Sequence, residues 1–400
     1  MGSITTTTSL TWRNPRLTGR ILELDGVRGL AILLVLIWHY LAELQSVVPG
    51  SWQANWLATL RLTWSGVDLF FVLSGFLIGG ILYDAKDSPS YYRSFYGRRI
   101  YRILPLYFLW LMLFAMGLYF VGPDSAKPLR DLFNHDLPAW SYPLFLQNFF
   151  MSSHQIFGPG WMGVTWSLAV EEQFYLLLPL LIRNLSYRGI IWLALASILC
   201  SPVVRLILWW SGNHFFGPYT LLPSRADAFG YGVLVALACR NKRAWTWLAC
   251  HRRYLYLVFL ILGCGIVFLT VHPRGVYVVG LSWIAALYAS LLLLTIVNPG
   301  RMETLCFRSR VLVKLGTVAY AVYIFHQGVK ALLHYAIFGG QQNIGNWSSL
   351  SVSLLSLITV LLMSALSWRF MEKPLIRHAH AVYRYVTLNE EGGEASTRIA

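Results

Sequence analysis

A chain of 400 residues has room for two or three soluble domains, but 56% of this one is hydrophobic, only 12% is charged and its mean hydropathy is +0.55. A soluble domain carries about 25% charged residues, so the composition excludes one and leaves a polytopic membrane protein. The net charge of +15 invites a nucleic-acid partner, and the placement of the charges along the chain decides against it.

Residues 1–20 are polar and carry no apolar h-region, so a polar cytoplasmic N-terminal segment is expected, with no signal peptide. Runs long enough to span predict an all-α integral membrane protein of about ten transmembrane helices, at 29–48, 64–83, 101–121, 162–182, 189–210, 220–239, 254–272, 276–298, 315–336 and 349–371. With sides alternating from the cytoplasm, all but seven of the 32 basic residues fall on inner segments or inner helix ends. The exceptions are Arg61, Lys127, Arg130, Arg205, Arg225, Arg274 and Lys330. This is the positive-inside bias, with both termini cytoplasmic. The basicity therefore reports topology, and no nucleic-acid partner is expected.

The first predicted helix opens in LDGVRGLAILLVLIWHY, with Arg28 at the start of the apolar run and His39 eleven positions later. At 1.5 Å per residue that separation is roughly 16 Å, about half of a ~30 Å hydrocarbon core. An ionisable residue there either faces protein or does chemistry. The second helix, GVDLFFVLSGFLIGG, buries Asp68 near its outer end and carries Gly75 and Gly79, a GxxxG spacing that predicts close helix packing.

The inner loop that follows ends in FYGRRIYRILPLY, placing Arg98, Arg99 and Arg102 at a predicted helix start and Pro105 in its first turn. Cations oppose the macrodipole there. Two readings stand: a topogenic cluster beside anionic lipid, or a phosphate clamp built from guanidinium forks. The outer segment 122–160 contains YPLFLQNFFM (142–151), too short to span and expected to be re-entrant or interfacial.

The next helix, TWSLAVEEQFYLLLP, sets Glu171 and Glu172 side by side in an apolar run. Two unpaired buried carboxylates are prohibitively costly, so at least one must be partnered or protonated. Arg205 lies in the fifth helix, and the sixth opens with Arg225 and Asp227; an Arg205–Glu or Arg225–Asp227 pair suits a structural role. The basic, aromatic loop 241–253 reads as a membrane-surface anchor, and 254–298 as scaffold. The ninth helix holds Tyr320, Tyr323 and His326 at spacings of three, a polar face whose histidine meets either the buried acids or a carbonyl. The tenth ends in WRFMEKPL, with Glu372 facing an inner arginine and Pro374 ending the helix; the tail 379–400 is expected to be disordered. The five cysteines show no CxxC spacing, and no metal is expected.

Two layers result. Arg28, Arg98, Arg99 and Arg102 suit a phosphorylated ligand from the cytoplasm, while His39, Asp68, Glu171, Glu172, Arg225, Asp227 and His326 suit proton chemistry. Charge placement alone equally allows a proton-coupled transporter or exporter.

Seven motifs in order then resemble the acyltransferase family 3 membrane proteins, over residues 21–378: LDGVRGLAILLVLIWH, GVDLFFVLSGFLIG, FYGRRIYRILPLY, TWSLAVEEQFYLLLP, RADAFGYG, VAYAVYIFHQ and MEKPL. The resemblance implies an enzyme of the bacterial inner membrane that moves an acyl group, most simply acetyl, from acyl-CoA to a hydroxyl of a sugar-containing acceptor: a surface polysaccharide, a lipid-linked glycan or a glycosylated small molecule. It implies His39 as the base or acyl-handling residue, with Arg28 near the donor and Glu171, Glu172 and Asp68 as acids of the site. Arg99 and Arg102, with Arg98, would hold the phosphates of CoA. Arg225, Asp227, His326, Trp166, Ser167 and Glu372 would bind substrate or hold the structure. With the chain ending at 400, the resemblance also implies a single-domain enzyme without the esterase domain that some relatives append.

Overall fold

Apolar runs that cannot satisfy their backbone in lipid must form helices, and the computed structural model is helical almost throughout. It describes residues 14, 17, 19, 21–42, 60–122, 124–271, 275–298, 302–339, 347–388 and 395–397. Most of the N-terminal segment, the predicted first helix beyond Ala42, and Arg13, Arg16, Arg20, Arg274, Arg301 and Arg398 of the charge argument lie outside these residues.

The main helices in chain order are α1 (Leu22–Ile37), α2 (Gly66–Asp84), α3 (Tyr91–Phe120), α4 (Gln147–His154), α5 (Thr165–Asn184), α6 (Tyr187–Trp210) and α7 (Leu222–Ala238). They continue with α8 (Lys242–Cys250), α9 (Arg252–Val271), α10 (Leu281–Val297), α11 (Arg310–Thr317), α12 (Ala319–Phe338), α13 (Trp347–Ser367) and α14 (Lys373–Val382). Each of the ten predicted windows contains a helix. Among the described residues, six stretches are by themselves long and apolar enough to cross a membrane: Leu22–Ala42, Arg61–Asp84, Tyr91–Phe120, Tyr187–Trp210, Val276–Val297 and Trp347–Val382. A seventh is reached only if α8 and Arg252–Ile266 count as one span across their 77° bend. Helices α5, α7 and α12 are shorter or more polar, since they carry the acids and histidines of interest.

Helix boundaries depart from the sequence expectation at both arginine sites. α1 begins at Leu22, with Glu23 and Asp25 in its first turn where they complement the macrodipole, so Arg28 lies inside the helix and not at its start. α3 begins at Tyr91, which moves Arg98, Arg99 and Arg102 two to three turns inward and puts Pro105 mid-helix. A hydropathy window reads only the apolar part of a helix and misses the polar turns before it. Pro374 likewise does not end the last helix: it sits in the first turn of α14, where a missing N–H is tolerated. Of the tail expected to be disordered, residues up to Val382 are helical, and Val386–Leu388 pairs antiparallel with Ala395–Thr397. The apolar piece at 142–151 turns into α4, tied to the bundle by Gln147 Nε2 donating to Thr165 O at 3.0 Å and Asn148 Nδ2 to Thr220 O at 3.1 Å.

Glycines set the closest helix contacts. The predicted GxxxG lies on the α2–α7 seam: a Cβ at Gly75 would run into the Phe229 carbonyl, Gly79 meets Val233, and Gly232 of α7 meets the Val72 carbonyl in return. Gly29 and Gly316 do the same between α1 and α11, fixing the helix that carries Arg28 and His39. Because the opposing atoms are backbone, Gly75→Ala is expected to destabilise the protein by about 1–3 kcal/mol. Gly263→Ala, where nothing lies within 4 Å, should be neutral or better. Unfolding midpoints in detergent check this, and equal midpoints for the two variants refute the seam.

Candidate active site

α1 does not end as a regular helix. From Trp38 to Ala42 it widens into a π-turn, a distortion frequent at functional sites, and this turn carries His39. The half-buried imidazole meets the amide of Gln327, whose Nε2 lies 3.0 Å from His39 Nδ1. The His326 ring stands 4.9 Å away, tilted by 47°. Lys330 donates from Nζ to the His39 carbonyl at 2.5 Å and lies 5.4 Å over the Tyr40 ring, so the buried cation is held by dipoles and a π face. Tyr40 donates from its hydroxyl to the His326 carbonyl at 3.2 Å. Helices α1 and α12 are thereby laced together around His39.

The polar face expected on α12 is present but serves several neighbours. Tyr320 donates to Ile103 O of α3 at 2.8 Å. The Tyr323 hydroxyl shares a 2.6 Å hydrogen bond with Ser167 and reaches Val164 O at 3.0 Å. His326 Nδ1 contacts Tyr323 O at 2.7 Å, which selects the carbonyl over the buried acids as its partner. Trp166 packs against Tyr219 and Phe71, with ring centroids 4.5 and 6.1 Å away.

The second layer gathers around Glu171. Its Oε1 accepts from Ser74 at 2.8 Å, and Ser74 shares a 3.1 Å bond with the Tyr175 hydroxyl. Arg28 of α1 and Arg99 and Arg102 of α3 all lie within electrostatic reach of Glu171. Arg28 also pairs with Asp25 at 3.6 Å, and the Arg99 guanidinium stands 5.7 Å from the Tyr175 ring centre. Glu172 lies beside Glu171 and Arg99. Glu372 accepts from Ser367 at 2.9 Å and lies within electrostatic reach of Arg102. Arg99 Nε and Glu172 Oε1 are buried without a hydrogen-bond partner among the described residues.

Arg98 does not join this layer. One residue is 100° of helix, and its Nε instead donates to Tyr383 O at 2.7 Å while the guanidinium lies 4.9 Å over Tyr385. Burial raises the Tyr385 phenol above its usual range even beside Arg98 and Arg99, so the ring stays neutral under the cation. Ser90 and Ser94 donate to Arg384 O at 2.8 and 2.7 Å, strapping the C-terminal segment across the start of α3.

The outer acids are also occupied. Asp68 pairs with Arg225 at 2.5 Å, both side chains 1% exposed, and so joins the packing and not the imidazole layer. Asp227 pairs with Arg205 at 2.9 Å and accepts from Ser282 at 2.5 Å. The Arg225–Asp227 pair does not form, because two positions on one helix point about 200° apart. Gln327, Lys330 and Tyr175 escaped the sequence reading. Tyr323, Gln327 and Lys330 follow the i, i+4, i+7 pattern of one helix face, which is the signal that was there to be read.

The sequence model of the acyltransferase domain family matches residues 21–369. A Bacillus subtilis protein provisionally named peptidoglycan O-acetyltransferase YrhL is 29% identical over 375 residues, 88% of this chain and 54% of the relative. The Listeria monocytogenes peptidoglycan O-acetyltransferase OatA is 26% identical over 384 residues, 90% of this chain and 56% of the relative. A protein of Acidianus two-tailed virus provisionally named an acetyltransferase is 30% identical over 320 residues, 78% of this chain and 84% of the relative. The chain spans about half the length of the two bacterial relatives, and no solved structure matches it. The matched residues take in both layers except Glu372, which lies just beyond the match, and the chain belongs to the acyltransferase domain family.

Proposed function

We propose that this chain is an O-acyltransferase of the bacterial inner membrane, spanning it ten times with both termini cytoplasmic. It takes an acyl group, acetyl in the simplest case, from cytoplasmic acyl-CoA and passes it to a hydroxyl of a glycan-containing acceptor. The observation that carries this reading is the pair of layers on one helix. Arg28, Arg99 and Arg102 converge on Glu171, and eleven residues further along α1 His39 meets Gln327 and His326.

The residues of the inner layer fit a phosphorylated donor. Guanidinium forks match phosphate oxygens, and the buried Arg99 Nε has donor capacity to spare. Glu171, held by Ser74, is the carboxylate these arginines share. At the second layer His39 is the base, and the uncharged Gln327 amide orients its ring. His39 takes the hydroxyl proton, the oxygen forms its bond to the thioester carbonyl carbon, the C–S bond breaks, and the proton returns from His39 to the thiolate. The glycan class of acceptor rests on the names of the two bacterial relatives.

Radiolabelled acetyl-CoA and purified protein in nanodiscs test the reading, since binding and slow thioester hydrolysis need no known acceptor. Arg99→Gln with Arg102→Gln is expected to weaken acetyl-CoA binding at least about 10-fold, because each charged hydrogen bond contributes about 1.5–3 kcal/mol. Unchanged binding removes the clamp. A well-folded wild type that binds neither acetyl-CoA nor a longer acyl-CoA replaces the enzyme by the transporter, which moves protons or substrate without CoA.

A further inference from the structure

The acyltransferase reading uses His39 and leaves His326 unexplained. This side chain is 0% exposed. Its Nδ1 contacts the Tyr323 carbonyl oxygen at 2.7 Å, and a carbonyl only accepts, so Nδ1 carries the proton and the neutral ring presents a lone pair at Nε2. Among the described residues that nitrogen has no hydrogen-bond partner. Packed structural histidines satisfy both nitrogens, and a buried acceptor left empty calls for a donor. The neighbouring imidazole is His39, 4.9 Å away between ring centres. The tautomer is held from both sides: Tyr323 is anchored to Ser167 and Val164, and the His326 backbone is held by Tyr40.

Resting on the acyltransferase reading, we propose that His326 is the proton partner of His39 and a positioning residue of the transfer step. When the acceptor hydroxyl gives its proton to one nitrogen of His39, the other nitrogen releases its proton to His326 Nε2. The C–O bond forms, the C–S bond breaks, and the proton returns through His39 to the departing thiolate. Acyl-CoA and alcohol become ester and CoA, with no net proton taken or released and no oxidant or reductant involved. The relay moves the positive charge from His39 to His326 while the hydroxyl is deprotonated, so His39 stays a neutral ring beside the reacting atoms.

The test compares wild type, His326→Asn and His326→Ala in nanodiscs with acetyl-CoA. Asparagine keeps a donor where Nδ1 stands and so preserves the bond to Tyr323 O, but offers no base at Nε2. The maximal turnover rate of both variants is expected to fall at least about 100-fold, the usual contribution of general base chemistry, with the KM for acetyl-CoA unchanged. Added imidazole should restore turnover to His326→Ala, whereas pyrazole, of the same size but scarcely basic, should not. Turnover of His326→Asn within threefold of wild type overturns the relay, as does equal rescue by pyrazole, which would make the ring a mere filler. Wild-type protein without any thioester turnover overturns the functional reading itself, a result distinct from either.

Discussion

His39→Ala is expected to slow acetyl transfer, and the slow hydrolysis of acetyl-CoA that stands in for it, by at least about 100-fold and as much as 10⁴-fold. Acetyl-CoA binding should be unchanged, because the arginine layer lies roughly 16 Å away along α1. Folding should survive as well. The ring is half-buried, and the interaction that draws Lys330 to this turn is with the His39 carbonyl, which alanine keeps. The measurement is single-turnover thioester loss beside equilibrium binding in the same nanodisc preparation. Retained turnover removes His39 from the chemistry. Loss of binding together with turnover would instead report a damaged helix and refute the division into two layers.

Arg205→Ala should act on stability and not on the reaction. Every arm of this guanidinium is in use: Nε donates to Val278 O at 2.8 Å, one terminal nitrogen to Ser224 O at 2.6 Å and Asp227 at 2.9 Å, the other to Ser282 at 2.5 Å. The residue is 0% exposed and joins α6 to α7, to α10 and to the turn before α10. Truncation leaves Asp227 as a buried charge without its cation, and breaking such a pair costs about 3–5 kcal/mol. The double replacement Arg205→Met with Asp227→Leu, which removes both charges together, should recover most of that loss. Unfolding free energies in detergent check the cycle. A single variant within about 1 kcal/mol of wild type, on a scale where most substitutions cost 0.5–3 kcal/mol, would show the network to be slack. Per folded molecule, acetyl-CoA hydrolysis by the single variant should match wild type.

The helical, membrane-embedded character was legible in the composition, and each of the ten windows drawn from apolar runs contains a helix, although only six stretches among the described residues are by themselves long and apolar enough to span. The GxxxG seam at Gly75 and Gly79 was legible too, because small residues four apart leave room for another backbone whichever helix supplies it. Helix starts were not: polar turns before α1 and α3 look like loop in a hydropathy window, so Arg28 and Arg99 were placed at helix ends when they lie inside.

Partner choice was the larger gap. The sequence by itself determined that Asp68, Glu171, Glu172, Arg205, Arg225, Asp227 and His326 are buried polar groups that must be satisfied, since lipid offers them nothing. Only the tertiary structure decided which satisfies which. It sends Arg225 to Asp68 and Arg205 to Asp227, sets Glu171 among arginines, turns Arg98 away to the C-terminal strap and gives His39 the amide of Gln327. The physical reason is that a helix fixes the angle between its own residues, 100° per step, whereas the neighbour met at each angle comes from a helix elsewhere in the chain (His39 and Lys330 are 291 positions apart).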